Sequence, residues 1–239
     1  MDLPSPQSRF VPTLWMDLAW GALVVVALAL VMVDLANVAL VATALPLGLY
    51  ALVAALIGRY WPAHKDFGWP NRVSLLRAAL VCTLLGSTIH LPSSFNWLLV
   101  YLPLALTALA LDGVDGYVAR RTRQQTAFGA RFDMELDALF ILGLSAAAWT
   151  LDKAGPWVLL IGLMRYGFVF AMALWPWLRQ PLPERFRRKT VCVWQVATLL
   201  IVLLPVIPRV VTTPALALSL ALLAWSFALD AVWLRRHRQ

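Results

Sequence analysis

Charge is what this sequence has least of. Only 13% of its 239 residues are Asp, Glu, Lys or Arg, about half the quarter that a soluble domain carries. That shortage excludes a water-soluble globular protein. With 62% hydrophobic residues, the chain reads instead as a multi-pass membrane protein. Cysteine is nearly absent too: Cys82 and Cys192 lie in apolar runs without a metal-ligand spacing, which leaves them packing roles. The short alternating strands and polar turns of a β-barrel are missing. So is a cleavable signal: Arg9 precedes an apolar run, but that run flows into a second, and Ala42-Thr43-Ala44 reads as mid-helix. No internal repeat or low-complexity segment is evident.

What is present is apolar sequence divided by basic loops. A bilayer core takes about 20 apolar residues per helix, and on that measure the spans fall at 15–33, 38–57, 73–89, 97–111, 130–151, 157–177, 190–207 and 213–233. The fourth continues as helix into 112–121, which contains no proline. Polar segments at 34–37, 59–70, 90–96, 121–126, 152–156 and 178–189 separate the spans, after a polar lead-in over 1–11. The expected fold is all-α, a polytopic membrane helical bundle of about eight transmembrane helices. The wet loop at 59–70 sets off a two-helix extension over 1–69 from the remainder, 70–239.

The net charge of +8 would favour nucleic acid in a soluble protein. Here the distribution of the charge gives a different explanation, and no nucleic-acid partner is expected. With the N-terminus inside, sixteen Lys and Arg residues fall on the inner side, and only Lys153 and Arg209 fall outside. Arg77 and Arg165 stand inside helices. Trp15, Trp97, Trp157, Trp175, Trp177 and Trp233 lie near span ends, as an aromatic belt requires.

The acidic residues, twelve in all, are not spread evenly: Asp112, Asp115, Asp133, Glu135 and Asp137 fall within 26 residues that face the inner side. Carboxylates flanked by membrane spans are costly and mark function. Asp112 and Asp115, three apart, share a helix face; so do Asp133 and Asp137, four apart. A short connector makes the two helices antiparallel and lets both pairs turn inward. Four facing carboxylates repel one another, and divalent cations with a taste for hard oxygen ligands relieve that repulsion. Two such ions suit a pyrophosphate substrate. Gly116 and Ala119 leave room for a ligand, Arg120 stands where it can take phosphate charge, and Gly129 permits close backbone approach. Glu135 points off this face, and Arg121 and Arg123 read as topology determinants.

The run Asp112-Gly-Val-Asp115-Gly116-Tyr-Val-Ala119-Arg120, eight residues, Gly129, three, Asp133, three, Asp137 resembles the signature of the CDP-alcohol phosphatidyltransferases at every fixed position. Upstream, Pro70-Asn71-Arg72-Val73-Ser74-Leu75-Leu76-Arg77 is similar to the start of that family's first core helix, with Ser in place of Thr. The resemblance implies a six-helix core over about 70–234, with the first two spans outside it. It implies an enzyme of phospholipid synthesis that moves a phosphatidyl group from CDP-diacylglycerol to a polar alcohol and releases CMP. By the same analogy Asp112, Asp115, Asp133 and Asp137 hold two Mg²⁺ or Mn²⁺ ions, and Asp137 is also the base. Asn71, Ser74, Gly116, Ala119, Arg120 and Gly129 line the CDP site, and the enzyme is a homodimer. An alcohol needs a positioned base at neutral pH; beside cations, Asp137 gains its effect from proximity rather than basicity.

Arg165 inside the sixth span, with Arg188 and Lys189 in the next inner loop, invites an anionic acceptor; Arg77 joins them as an expected acceptor contact. Glycerol 3-phosphate, as in a phosphatidylglycerophosphate-synthase-like activity, is the leading acceptor. Inositol phosphate, serine, and diacylglycerol with a CDP-amino-alcohol are the alternatives within the family. The same basic cluster also suits membrane-lipid headgroups. An aspartate-rich prenyltransferase would place its two motifs far apart in sequence, and a transporter would show paired halves; neither pattern occurs. A compact enzyme of this kind belongs in a bacterial inner membrane with its site facing the cytoplasm.

Overall fold

The computed structural model describes residues 13–36, 39–61, 67–93, 95–122, 126–180 and 186–236. The lead-in at 1–11, the loop residues His64, Lys65 and Asp66, and Arg123, Arg185 and Arg238 lie outside the described residues. Eight α-helices and no strand occur among those described: α1 Thr13–Ala36, α2 Ala44–Tyr60, α3 Trp69–Ser87, α4 Phe95–Thr122, α5 Ala127–Thr150, α6 Leu159–Leu174, α7 Phe186–Val202 and α8 Arg209–Arg236. The protein is an all-α helical bundle, as its composition requires.

Among the described residues, five stretches are long and apolar enough to cross a membrane: Leu14–Leu35, Leu40–Tyr60, Trp69–His90, Pro156–Leu174 and Arg209–Arg236. This is the make-up of a multi-pass membrane protein. α4 carries a shorter apolar run, Leu98–Val114. α5 falls short of the same measure because Arg131, Asp133, Glu135 and Asp137 occupy its first turns, and α7, with 17 residues, is too short and opens on Arg187, Arg188 and Lys189. Proline sets the boundaries that differ from expectation. The sixth span stops at Leu174, since Pro176 opens a short 3-10 turn, and the seventh stops at Val202 ahead of Pro205 and Pro208. α8 starts four residues early, at Arg209, and carries Pro214 inside the helix, where the ring removes the N–H that would otherwise bond the Val210 carbonyl.

Packing divides the chain into two compact units, 1–136 and 137–239, with the boundary inside the unbroken helix α5. In the first unit α3 is the central element. Some 72% of its apolar window is buried, against 17% for α6. α1 and α2 pack along α3 and bury Leu75, Ala78, Ala79 and Cys82 against Leu18, Val25, Val53 and Ile57. Lipid offers no hydrophobic drive between helices, so close contact of small residues carries the association. Gly86 shows how close: a Cβ there would stand 2.5 Å from the Pro46 backbone nitrogen. The Tyr50 hydroxyl donates to the Leu18 carbonyl at 2.9 Å, satisfying a polar group that the apolar surroundings would otherwise penalise.

The second unit is held at one end by a polar clasp. Lys153, in the turn after α5, donates to the carbonyls of Leu204 (2.9 Å) and Ile207 (2.7 Å) beyond the end of α7. Thr212 donates to the Lys153 carbonyl at 2.5 Å, and Arg209 pairs with Asp152 at 2.8 Å. Desolvation lowers the pKa of Lys153, and its carbonyl partners hold the ammonium nonetheless.

Candidate active site

The first unit assembles its polar groups at one end, where α1 and α3 begin, α4 ends and α5 begins. α4 runs through Asp112 without a break, and α5 starts at Ala127, so both carboxylate-bearing segments are helical as their spacing requires. The Thr126 side chain accepts from the Gly129 backbone N–H at 2.9 Å and caps α5. A capped start fixes the direction in which Asp133 leaves the helix.

Among the described residues, Asp112, Asp133 and Asp137 each offer a carboxylate oxygen, and these oxygens lie within 4.8 Å of one another. Asp137 follows Asp133 by about one turn of the same helix, which puts the two on one face. Arg77, on α3, reaches into the cluster: its Nη1 stands 2.7 Å from Asp112 and 2.6 Å from Asp133. The guanidinium is 1% exposed, while the two carboxylates are 37% and 41% exposed. One buried positive charge thus faces two acids, with a third close by. The surplus is negative and points outward. Hard oxygen donors with unbalanced negative charge fit a divalent cation of the Mg²⁺ or Mn²⁺ type. The side chain of Asp115, also expected as a ligand, lies outside those described, as do Ala119 and Arg120.

Of the residues expected around CDP, Asn71 and Gly129 come together. A Cβ on Gly129 would sit 3.3 Å from the Asn71 side-chain oxygen, so the starts of α3 and α5 come within close reach of each other here. Asn71 is buried, and its amide donates to the Phe67 carbonyl at 2.5 Å. Ser74 is buried as well and turns its hydroxyl back to the Pro70 carbonyl at 3.2 Å. Gly116 is half-buried on α4. Arg77, expected at the acceptor, makes its contacts with the carboxylates.

Arg165, Arg188 and Lys189 belong to the second unit. There Arg187 donates to Asp230 at 2.5 Å and to the Ser226 carbonyl at 2.8 Å, while its guanidinium lies over the Trp225 ring at 5.6 Å. Arg188 approaches the same carboxylate at 3.9 Å. Two residues of these networks were not among the expected ones: Asp230 and, in the first unit, Asp17, which accepts from Arg72. The signal was in the sequence, since each is an acid inside an apolar span, a position that calls for a partner.

These features describe a membrane-embedded helical protein with an acidic, cation-ready cluster of Asp112, Asp133 and Asp137. A family model, CDP-alcohol phosphatidyltransferase, matches residues 67–229. The chain belongs to that family, whose members are transferases of phospholipid synthesis acting on CDP-linked alcohols. Searches of curated proteins and of solved structures return no match.

Proposed function

We propose that the chain transfers a phosphatidyl group from CDP-diacylglycerol to an alcohol that carries its own phosphate, glycerol 3-phosphate first among them. The observation that carries the reading is the cluster of Asp112, Asp133 and Asp137 in a chain of this family. Asp112, Asp115, Asp133 and Asp137 would hold two divalent cations, Mg²⁺ or Mn²⁺, which supply charge neutralisation for a pyrophosphate. Asn71, Ser74, Gly116, Ala119, Arg120 and Gly129 hold the CDP moiety, and Arg77, Arg165, Arg188 and Lys189 serve the acceptor. Asp137 takes the proton of the acceptor hydroxyl as its oxygen attacks the lipid-bearing phosphorus. The bond from that phosphorus to CMP breaks, and CMP leaves with the electron pair. Asp137 acts through position: a carboxylate among cations is a weak base, and proximity to the hydroxyl compensates.

Residues 70–239 form the transferase proper in this reading, with 1–69 as an extension and a homodimer as the assembly. The basic inner loops support a cytoplasm-facing site in a bacterial inner membrane.

The test is incubation of the purified chain with labelled CDP-diacylglycerol and Mn²⁺ over a panel of acceptors. CMP release that needs an added alcohol, fastest with glycerol 3-phosphate, is the expected result. Release that prefers inositol phosphate or serine moves the acceptor, and release with diacylglycerol and a CDP-amino-alcohol moves the donor. Release independent of any alcohol overturns the reaction. Unchanged release by Asp137→Asn removes Asp137 as the base.

A further inference from the structure

The two helices that precede the family region touch the starts of α3 and α5. Asp17, on α1, accepts from Nε of Arg72 with both oxygens, at 3.1 and 3.0 Å. The pair is largely buried, with side chains 28% and 17% exposed. Arg72 also lies over the Trp69 ring at 5.4 Å, so its place is fixed from two directions. Its neighbour in the chain is Asn71.

Trp61, at the end of α2, makes the second contact. Its ring meets Phe67 edge-on at 5.2 Å and Phe128 at 5.3 Å, and Phe128 stacks on Phe132 at 5.9 Å. Phe67 carries the carbonyl that accepts from Asn71, and Phe128 precedes Gly129. Both halves of the Asn71–Gly129 approach are therefore held from outside the family region, one by an ion pair and one by an aromatic cluster. A largely buried ion pair contributes register more than raw stability, and edge-on aromatic contacts fix ring positions.

We propose that α1 and α2 set the nucleotide-binding rim, with Asp17 and Trp61 as positioning residues for Asn71 and Gly129. The inference rests on the CDP role given to those two residues above. Losing either anchor lets the α3 and α5 starts drift apart and weakens hold on the cytidine nucleotide, while the carboxylates on the inner turns keep their chemistry.

The experiment uses the full chain in detergent, with CDP binding followed by titration calorimetry in Mn²⁺ and CMP release followed over donor and acceptor concentration. Asp17→Asn and Trp61→Ala are each expected to weaken CDP binding about ten-fold and to raise KM for CDP-diacylglycerol alike. kcat and the acceptor KM stay within about two-fold of wild type, since the groups that react are untouched. The exchanged pair Asp17→Arg with Arg72→Asp restores binding to within about three-fold, and Trp61→Phe does the same for the ring. Both rescues also decide the matter if Asp17→Asn or Trp61→Ala fails to fold. Single variants that bind CDP as wild type does, an exchanged pair as poor as the singles, or a loss confined to kcat each overturn the inference. Wild type that neither binds CDP nor releases CMP overturns the reaction itself, and this inference with it; active wild type with unmoved variants overturns this inference alone.

Discussion

In the first unit one buried guanidinium, Arg77, meets two carboxylates, Asp112 at 2.7 Å and Asp133 at 2.6 Å. In the second, one buried carboxylate, Asp230, meets two guanidinium groups, Arg187 at 2.5 Å and Arg188 at 3.9 Å. The pair chemistry is the same and the proportions are reversed. In each cluster the shared partner is the most buried group and the sign in excess lies on the more exposed ones. An excess of acid suits a cation; an excess of base suits a phosphate. Membrane burial makes this stoichiometry informative, because an uncompensated charge in such surroundings is expensive to keep.

The largest effect expected is on the acid-rich cluster. Asp112→Asn and Asp133→Asn should each lower acceptor-dependent CMP release by about a thousand-fold, as loss of a charge-stabilising group in a reaction centre does. The same variants should lose the rise in thermal midpoint that Mn²⁺ gives wild type by binding the folded state. A midpoint that still rises with Mn²⁺ would place the cation elsewhere.

Asp230→Asn attacks the base-rich cluster by removing its shared acid. Thermal unfolding should show a loss of about 3 kcal/mol, the lower end for a buried charge deprived of its partner. Its response to Mn²⁺ should match that of wild type, which separates the two clusters. Equal loss of the Mn²⁺ response in this variant would end the contrast.

Arg77→Met makes the acid-rich cluster more acidic still. A destabilisation of about 2 kcal/mol is expected, less than for a fully buried pair because both carboxylates are more than one-third exposed. Mn²⁺ should recover most of it, since a cation relieves the repulsion that Arg77 had offset. If added Mn²⁺ leaves the deficit intact, the two positive charges do not share a role. The smallest effect belongs to the exposed pair Asp152–Arg209, whose side chains are 78% and 54% exposed. Asp152→Asn should shift unfolding by no more than about 0.5 kcal/mol, and a larger shift would mean that the clasp at Lys153 depends on it.

Sequence alone was enough to establish the helical membrane class, because 62% hydrophobic residues in runs of span length leave backbone hydrogen bonds nowhere to go but into helices. It also gave the pairing of Asp112 with Asp133 and Asp137, since helical spacing and a short connector are local properties. Helix ends near Pro176, Pro205 and Pro208 were readable in principle, yet hydropathy runs past a proline that does not change the apolar average.

Tertiary structure decided what no local pattern carries. That Arg77 meets Asp112 and Asp133 depends on where α3 lies against α4 and α5. That Asp17 finds Arg72, 55 residues away, depends on α1 packing along α3 through Ala78, Ala79 and Cys82. A lone acid in an apolar span announces that it needs a partner; which partner it gets is set by helix packing, a property of residues far apart in the chain.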